Sequence, residues 1–231
     1  MVDHSLSLVH LVRQSGEVAP VEPPLLLLLH GIGSNEQDLF SMEPYLDPRF
    51  FVVSARAPLE IMAGGYAWFN IEFTAGGSIV PDLDQAESSR SLLVRFIDEL
   101  VAAYGVNRRR VYLMGFSQGA MMSLTVALTR PDMVAGVVAM SGRLPEKAVE
   151  SPGSLEEIRK LDIFVSHGIY DDLLPISNGR ACREHLEKLG VDLTYREYPM
   201  GHEVRPEALI EITRWLKSML DKESQERIEG N

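Results

Sequence analysis

Short runs of apolar residues alternate with longer segments of helical period along most of the chain. Apolar runs without a two-residue alternation are typical of strands that are buried on both faces, as in a parallel sheet covered by helices. Six such strands are predicted, over Pro24–His30, Phe50–Ser54, Val111–Phe116, Val134–Met140, Leu161–His167 and Leu193–Tyr198. Residues Ser5–Val12 alternate apolar and polar side chains instead, which predicts an antiparallel edge strand.

Helices are predicted between these strands. Apolar side chains recur at i, i+3 and i+4 over Ala86–Tyr104, and Asp82 and Asp84 near its start suit the positive end of a helix dipole. The other helices are predicted over Gln118–Leu128, Ser177–Leu189 and Arg205–Leu220. The alternation predicts an α/β fold with a mostly parallel central sheet and helices on both of its faces.

No repeat, linker or shift in composition divides the chain, so residues 1–231 are predicted to form a single domain. The charged residues 222–231 are expected to fray. The glycine- and aromatic-rich stretch Ala57–Pro81 is predicted to be an irregular loop, and loops of that length are usually functional.

The chain is acidic, with a net charge of -11. This charge disfavours nucleic acid as a partner, because binding to phosphate backbones requires clustered Lys and Arg. The apolar run Leu25–Leu29 is far shorter than the ~20 residues of a membrane span, so stable membrane insertion is not expected. Cys182 is the single cysteine and cannot form an internal disulfide. With no signal-peptide pattern at the N-terminus, we expect a cytoplasmic protein.

Residues Gly115–Gly119 form a G-x-S-x-G pentapeptide at the junction of a predicted strand and a predicted helix. The string alone occurs by chance in about one chain in ten of this length, but its position at such a junction is much rarer. A nucleophile elbow requires a strained turn there, with small residues around the serine. The position predicts Ser117 as a nucleophile, with an incidental glycine-rich turn as the alternative.

A serine hydroxyl is a weak nucleophile, so this hypothesis requires a base and an acid further along the chain. Asp171 and Asp172 follow one predicted strand, and His202 follows the next. The carboxyl ends of parallel strands meet at one edge of a sheet, so these residues are expected near Ser117. Either aspartate could orient His202, which would take the Ser117 proton. None of the other five histidines has the spacing of metal ligands.

An oxyanion hole would complete the site. The N–H of Gln118 is one expected donor, and the second is expected from the loop after an early strand. The glycine-rich segment His30–Gly33 supplies such a loop. A loop of this kind could instead bind a nucleotide phosphate, but the segment lacks both glycine-rich phosphate-binding patterns.

With these motifs, the chain resembles the phospholipase/carboxylesterase family of α/β-hydrolases, which includes small bacterial carboxylesterases and acyl-protein thioesterases. The family's L-H-G-x-G and N-E-x-D-L segments match Leu29–Gly33 and Asn35–Leu39. Its G-F-S-Q-G elbow, its H-G-x-x-D acid motif and its G-H base motif match Gly115–Gly119, His167–Asp171 and Gly201–His202.

The resemblance implies an α/β-hydrolase fold, with Asp171 as the acid. It also implies that Ile32 and Gln118 donate the oxyanion N–H groups, and that no metal or organic cofactor is needed. One departure is Asp172, which stands where the thioesterase branch commonly has a proline.

The resemblance also suggests substrate-binding residues. Trp68, with Phe69, is expected beside the acyl group, although ordinary core packing is an equal alternative for both. Leu173 and Leu174 are expected to wall an apolar acyl pocket.

Three functions follow from these residues. The first is a serine carboxylesterase for small-molecule esters with short to medium acyl chains, acting through an acyl-enzyme intermediate. The second is an acyl thioesterase or lysophospholipase with the same triad, and the third is a non-catalytic binding protein on the same fold. Apolar surface residues could support a homodimer, although no segment predicts one.

Overall fold

The computed structural model describes residues 2–3, 5–16, 19–73, 79–145, 150 and 152–229. Twelve strands lie within this part of the chain. They are β1 (Val2–Asp3), β2 (His10–Arg13), β3 (Leu25–Leu29), β4 (Phe51–Ala55), β5 (Leu59–Met62), β6 (Gly65–Ala67), β7 (Ile71–Phe73), β8 (Ile79–Pro81), β9 (Val111–Phe116), β10 (Gly136–Met140), β11 (Asp162–Gly168) and β12 (Asp192–Tyr198).

The α-helices in the described residues include four long ones. In chain order the helices are α1 (Gln37–Phe40), α2 (Leu83–Tyr104), α3 (Gln118–Thr129), α4 (Leu155–Ile158), α5 (Ile176–Leu189) and α6 (Pro206–Glu229). The caps explain where the longest predicted helix begins and ends. The side chain of Asp82 accepts the N–H of Gln85 at the start of α2, and Gly105 ends it in the left-handed conformation.

Eight strands form the central sheet, in the spatial order β1-β2-β4-β3-β9-β10-β11-β12. The pairs from β4 to β12 are all parallel. All six predicted parallel strands are confirmed to within two residues at each end, and with them the mostly parallel sheet. The carboxyl ends of β3, β9, β11 and β12 therefore share one edge, which is where the candidate site residues follow.

The antiparallel strand predicted over Ser5–Val12 is confirmed in direction but not in position. The strand is β2, which pairs antiparallel with β4 on one side and with β1 on the other. Residues 5–8 bend instead of pairing. Leu8 is buried in the core, so its apolar side chain contributed to the alternation without belonging to the strand.

The core lies on both faces of the sheet, as the unalternating apolar runs predict. On β3, Leu25, Leu27 and Leu29 pack on one face with α2 and α3, while Leu26 and Leu28 pack on the other with α6. All five leucines are fully buried. Helix α3 is buried along almost its whole length, which fixes the element that follows Ser117 against the centre of the sheet.

Two other predictions need correction. The stretch Ala57–Pro81 is not simply an irregular loop, because its described residues form two small antiparallel sheets, β5 with β6 and β7 with β8. Residues 74–78 lie outside the described part. The last helix continues past its predicted end at Leu220 to Glu229, through most of the segment that was expected to fray.

Candidate active site

Ser117 lies at a sharp turn between β9 and α3. Its backbone has a φ of 52° and a ψ of -116°, a conformation that strains a residue with a Cβ atom. The flanking glycines are needed because the backbone approaches too closely for side chains. A Cβ on Gly115 would lie 2.2 Å from the carbonyl oxygen of Gly119, and one on Gly119 would lie 1.9 Å from that of Leu29. The turn places Ser117 at the carboxyl edge of the sheet.

His202 connects Ser117 to Asp171. Its Nε2 lies 2.9 Å from Ser117 Oγ, and its Nδ1 lies 2.7 Å from Asp171 Oδ2. With Asp171 as acceptor, Nδ1–H is the donor, which leaves the lone pair of Nε2 facing the serine hydroxyl. This arrangement can take a proton from Ser117 and return it to a leaving group.

Asp171 is held in place by the loop that follows β11. Its side chain is buried, and Oδ1 accepts the N–H groups of Leu173 at 3.0 Å and Leu174 at 2.8 Å. These donors fix the carboxylate so that Oδ2 faces His202. The neighbouring Asp172 is exposed. The structure therefore brings Asp171, and not Asp172, into contact with His202.

His167 supports the same loop from β11. It is fully buried, and its Nε2 lies 2.7 Å from the carbonyl oxygen of Leu174 and 3.5 Å from Asp171 Oδ2. The shorter contact identifies Nε2–H as a donor to Leu174. The ring thereby holds the loop closed over Asp171.

The loop after β3 brings Ile32 close to the elbow. A Cβ on Gly31 would lie 3.2 Å from the ring of Phe116 and 3.4 Å from Ser117 Cβ, so the loop passes against Ser117. Among the described residues, the N–H groups of Ile32 and Gln118 donate no hydrogen bond. Gln118 is also the first residue of α3, so the positive end of the helix dipole strengthens its N–H as a donor to a negatively charged oxygen. Both amides are therefore available to a bound oxygen anion.

His30 holds this loop, a role that was not predicted from the sequence. It is fully buried, with Nδ1 2.7 Å from the carbonyl oxygen of Gly31 and Nε2 3.0 Å from the amide nitrogen of Ala57. Nε2 accepts the Ala57 N–H, so Nδ1–H donates to Gly31 and the ring is neutral. Burial lowers the pKa of His30, which favours this neutral form. Its position directly before the Gly31–Gly33 loop was the available signal.

An ion pair fixes the segment that follows the loop. Glu36 is almost fully buried, and its two oxygens each lie 2.6 Å from a nitrogen of the Arg56 guanidinium. This pairing lowers the pKa of Glu36. The Arg56 guanidinium also stacks on the ring of Tyr66, 4.6 Å from its centroid. Glu36 belonged to the N-E-x-D-L motif, but nothing in the sequence identified its partner.

The structure places Trp68 behind the pocket and not in its wall, which corrects the expectation of contact with an acyl group. Its side chain is fully buried, and the indole N–H donates to the carbonyl oxygen of His30 at 3.0 Å. The Gln118 side chain accepts the N–H of Trp68 at 2.8 Å and donates to the carbonyl oxygen of Phe69 at 2.6 Å. The indole is fixed by core packing, the alternative that the sequence left open.

A pocket of about 290 Å³ lies over Ser117 and His202. Phe69, Leu173 and Leu174 line it, together with Ile32 and Gln118. Leu173 is 61% exposed at the mouth. The pocket is mostly apolar, which suits the carbon chain of an ester.

Several residues that line this pocket were not identified from the sequence. They are Gly31, Ile71, Phe116, Met121 and Arg143. Met121 could have been found, because it lies one helical turn after Ser117 and therefore faces the same side of α3. Arg143 carried no signal, since it follows β10 in a loop that the motifs do not reach.

The other candidate chemistry in the described residues is limited. Burial raises the pKa of the Cys182 thiol to about 12, which keeps it protonated and unreactive. No cluster of three or more potential metal ligands occurs among the described residues. None of the described helices is long and apolar enough to cross a membrane.

The sheet order, the strained serine between β9 and α3, and the acid and base after β11 and β12 define a serine hydrolase of the α/β-hydrolase class. The chain belongs to the phospholipase/carboxylesterase family, whose model matches residues 17–220.

Individual relatives support this assignment. The chain is 29% identical to the probable carboxylesterase SOBER1-like of Arabidopsis thaliana, with 86% of this chain and 80% of that protein covered. It is 28% identical to acyl-protein thioesterase 1 of Kluyveromyces lactis, with 90% and 97% covered. The solved structure of esterase PE8 is 28% identical and has a TM-score of 0.79, with 91% of this chain and 98% of that chain covered.

Proposed function

We propose that this protein is a serine carboxylesterase that hydrolyses small-molecule esters with short to medium acyl chains. The observation that carries the proposal is the continuous hydrogen-bonded path from Ser117 through His202 to Asp171, with distances of 2.9 Å and 2.7 Å. The names of the relatives as carboxylesterases agree with it.

The reaction has two halves. His202 Nε2 takes the Ser117 proton as Oγ attacks the ester carbonyl, and the resulting oxyanion accepts hydrogen bonds from the Ile32 and Gln118 N–H groups. His202 then gives the proton to the leaving alcohol, which leaves an acyl group on Ser117. Water repeats the same steps and releases the acid. Asp171 stabilises the histidine when it is positively charged.

The chemistry of the triad is the same for an oxygen ester and a thioester. Acyl-protein thioesterase 1 of Kluyveromyces lactis is among the relatives, so thioesters are the second candidate substrate. A series of p-nitrophenyl esters from acetate to decanoate, with matching thioesters, compares both classes and the depth of the pocket. We expect higher kcat/KM for the oxygen esters, with a maximum at a short or medium chain; a maximum at the longest thioesters would favour the second candidate.

Labelling with a serine-directed fluorophosphonate tests whether the site is catalytic at all. The wild-type protein should be labelled and the Ser117→Ala variant should not, because the reagent needs an activated hydroxyl. A wild-type protein that takes no label and hydrolyses no ester would support a binding protein on this fold.

A cytoplasmic location is also part of the proposal. Its support is the single cysteine, Cys182, which is buried and cannot form an internal disulfide. A homodimer stays a prediction, to be tested by sedimentation.

A further inference from the structure

The chain turns sharply after β10 and passes against the nucleophile elbow. Ser141 has a φ of 49°, which is strained for a residue other than glycine, and its N–H donates to the carbonyl oxygen of Ser166 at 2.8 Å. At the next residue, Gly142, a Cβ would lie 2.7 Å from Ala120 Cβ and 3.4 Å from the carbonyl oxygen of Ser117. Strain of this kind is typical of functional sites, and here it brings Arg143 to the wall of the catalytic pocket.

Arg143 gives the catalytic pocket its charge. Among the described residues that line the pocket, it is the only Lys or Arg, and none is Asp or Glu. Arg143 is half-buried, and it makes no hydrogen bond or ion pair with any described residue. The chain as a whole has 33 acidic and 22 basic residues, so partners for a structural arginine are abundant. A half-buried guanidinium that has no acidic partner among the described residues, in a pocket with apolar walls, is suited to bind an anion from solution.

We infer that Arg143 binds a carboxylate of the substrate, so that the preferred substrates are esters that also carry a free carboxylate. The inference rests on the proposed esterase function and specifies its substrate class. A planar guanidinium can bind both oxygens of a carboxylate at once, which a lysine cannot match. The positive end of α3 beside Ser117 favours the same sign of charge.

A neighbouring pocket limits where this carboxylate can lie. Arg143 also lines a second cavity of about 270 Å³, which shares Phe69 and Met121 with the catalytic pocket. The walls of this second cavity also carry the acidic residues Asp84, Glu87 and Glu150. These carboxylates would repel an anion, so the substrate carboxylate binds on the Ser117 side of Arg143.

Two matched pairs of esters test the inference. On the acyl side, mono-p-nitrophenyl adipate is compared with p-nitrophenyl hexanoate. On the alcohol side, 4-carboxyphenyl hexanoate is compared with phenyl hexanoate. For each pair, the ratio of kcat/KM for the anionic ester to that for the neutral ester is measured in wild type and variants, so the intrinsic reactivity of the esters cancels.

The Arg143→Met variant should lower this ratio by ~10- to 100-fold for at least one pair, the effect expected for loss of a hydrogen bond between charged groups. Arg143→Lys should lower the ratio less, because lysine keeps the positive charge but cannot bind both carboxylate oxygens at once as the guanidinium does. As the matched control, Arg214→Met removes one positive charge from an exposed site on α6 and should leave both rates and the ratio unchanged.

Ratios that are the same in wild type and Arg143→Met for both pairs would overturn the inference, as would an equal fall in Arg214→Met. Circular dichroism and thermal unfolding confirm that the variants are folded, and Arg143→Lys provides the test if the methionine variant is not. A wild-type protein that hydrolyses neutral esters with unchanged ratios refutes only the role of Arg143. If it hydrolyses none of the four esters and takes no fluorophosphonate, the proposed function itself fails.

Discussion

Two buried or partly buried histidines at the carboxyl edge of the sheet differ in the partners of their ring nitrogens. His30 has backbone partners on both nitrogens, the carbonyl oxygen of Gly31 and the N–H of Ala57, so neither nitrogen is available for chemistry. His202 has a carboxylate on one nitrogen and the Ser117 hydroxyl on the other. Only the second arrangement can accept a proton and give it up again. The hydrogen-bond partners, more than the residue type, decide which histidine is reactive.

The first residue-scale prediction concerns Ser117 and His202. We expect Ser117→Ala and His202→Ala each to lower kcat by ~10⁴–10⁶, and the double variant to lose little more, because the triad acts as a unit. Steady-state kinetics on a p-nitrophenyl ester measure this. Ser218→Ala, an exposed serine on α6, is the control and should keep full activity. Losses that multiply in the double variant would show that the two residues act independently.

The second prediction separates the two neighbouring aspartates. Asp171→Asn should lower kcat by ~10³–10⁴, because an amide cannot stabilise the histidine cation and favours the wrong tautomer. Asp172→Asn removes the same charge from an exposed side chain, and should change kcat by less than about 3-fold. The kcat values of the two variants are compared at one pH. A greater loss in Asp172→Asn would refute the assignment of the acid.

At the scale of elements, the site depends on how closely β3, β9 and α3 approach one another. The backbone of α3 at Gly119 lies against the carbonyl oxygen of Leu29, and β9 at Gly115 lies against the backbone of Gly119. No side chain fits between these elements, so the G-x-S-x-G pattern has a packing cause as well as a conformational one. The same approach brings the N–H of Gln118 and the loop after β3 to one place.

The third prediction tests this close approach. Gly119→Ala would place a Cβ 1.9 Å from a backbone oxygen, so it should lower the free energy of unfolding by about 3 kcal/mol and reduce activity with it. Gly105→Ala is the matched control, because Gly105 caps α2 with a φ of 62° in open space. It should cost about 1 kcal/mol, from backbone strain alone. Urea unfolding followed by fluorescence measures the free energy of unfolding of both variants. Equal losses in the two variants would show that the backbone around Gly119 can move apart with little loss of stability.

At the scale of the whole molecule, the protein places titratable groups in its core beside the active site. Burial lowers the pKa of His30 from an ordinary value of 6.5, and Arg56 lowers that of Glu36 from 4.5. In both cases the unfolded chain binds a proton at a higher pH than the folded one. Acid therefore stabilises the unfolded state, through His30 first and through Glu36 at lower pH.

The fourth prediction follows from this order. The contribution of His30 to stability is complete above pH 6.5 and declines as the pH falls toward the lower pKa of the folded state, by at most about 1.4 kcal/mol per pH unit. The His30→Asn variant should have a lower free energy of unfolding than wild type at pH 7.5. Because the substitution removes the titrating group, the free energy of unfolding of the variant should fall less steeply toward pH 5.5. Urea titrations across this range give the slopes.

The half-buried His185 on α5 provides the comparison. Its pKa is also lowered by burial, but it is less buried than His30, so His185→Asn should change the slope less. Identical slopes in wild type and His30→Asn would show that His30 does not contribute to acid sensitivity.

The main strands and helices and the three residues of the proposed triad could be predicted from the amino-acid sequence. Strands buried on both faces require continuous apolar runs, and these are visible without knowledge of any partner. Ser117, Asp171 and His202 each follow a predicted strand, and parallel strands bring their carboxyl ends to one edge. Local pattern and chain order were therefore sufficient for these residues, with the family motif selecting between the two aspartates.

The contacts of the other side chains in the site could not be predicted before the fold was known. Trp68 and Phe69 are adjacent in sequence, yet one packs behind the pocket and the other lines it. His30 and Arg56 depend on partners far along the chain, and Arg143 reaches the site through a turn without a sequence signal. Such contacts depend on the three-dimensional paths of several segments at once, because burial and hydrogen bonding are properties of the packed molecule and not of any local pattern.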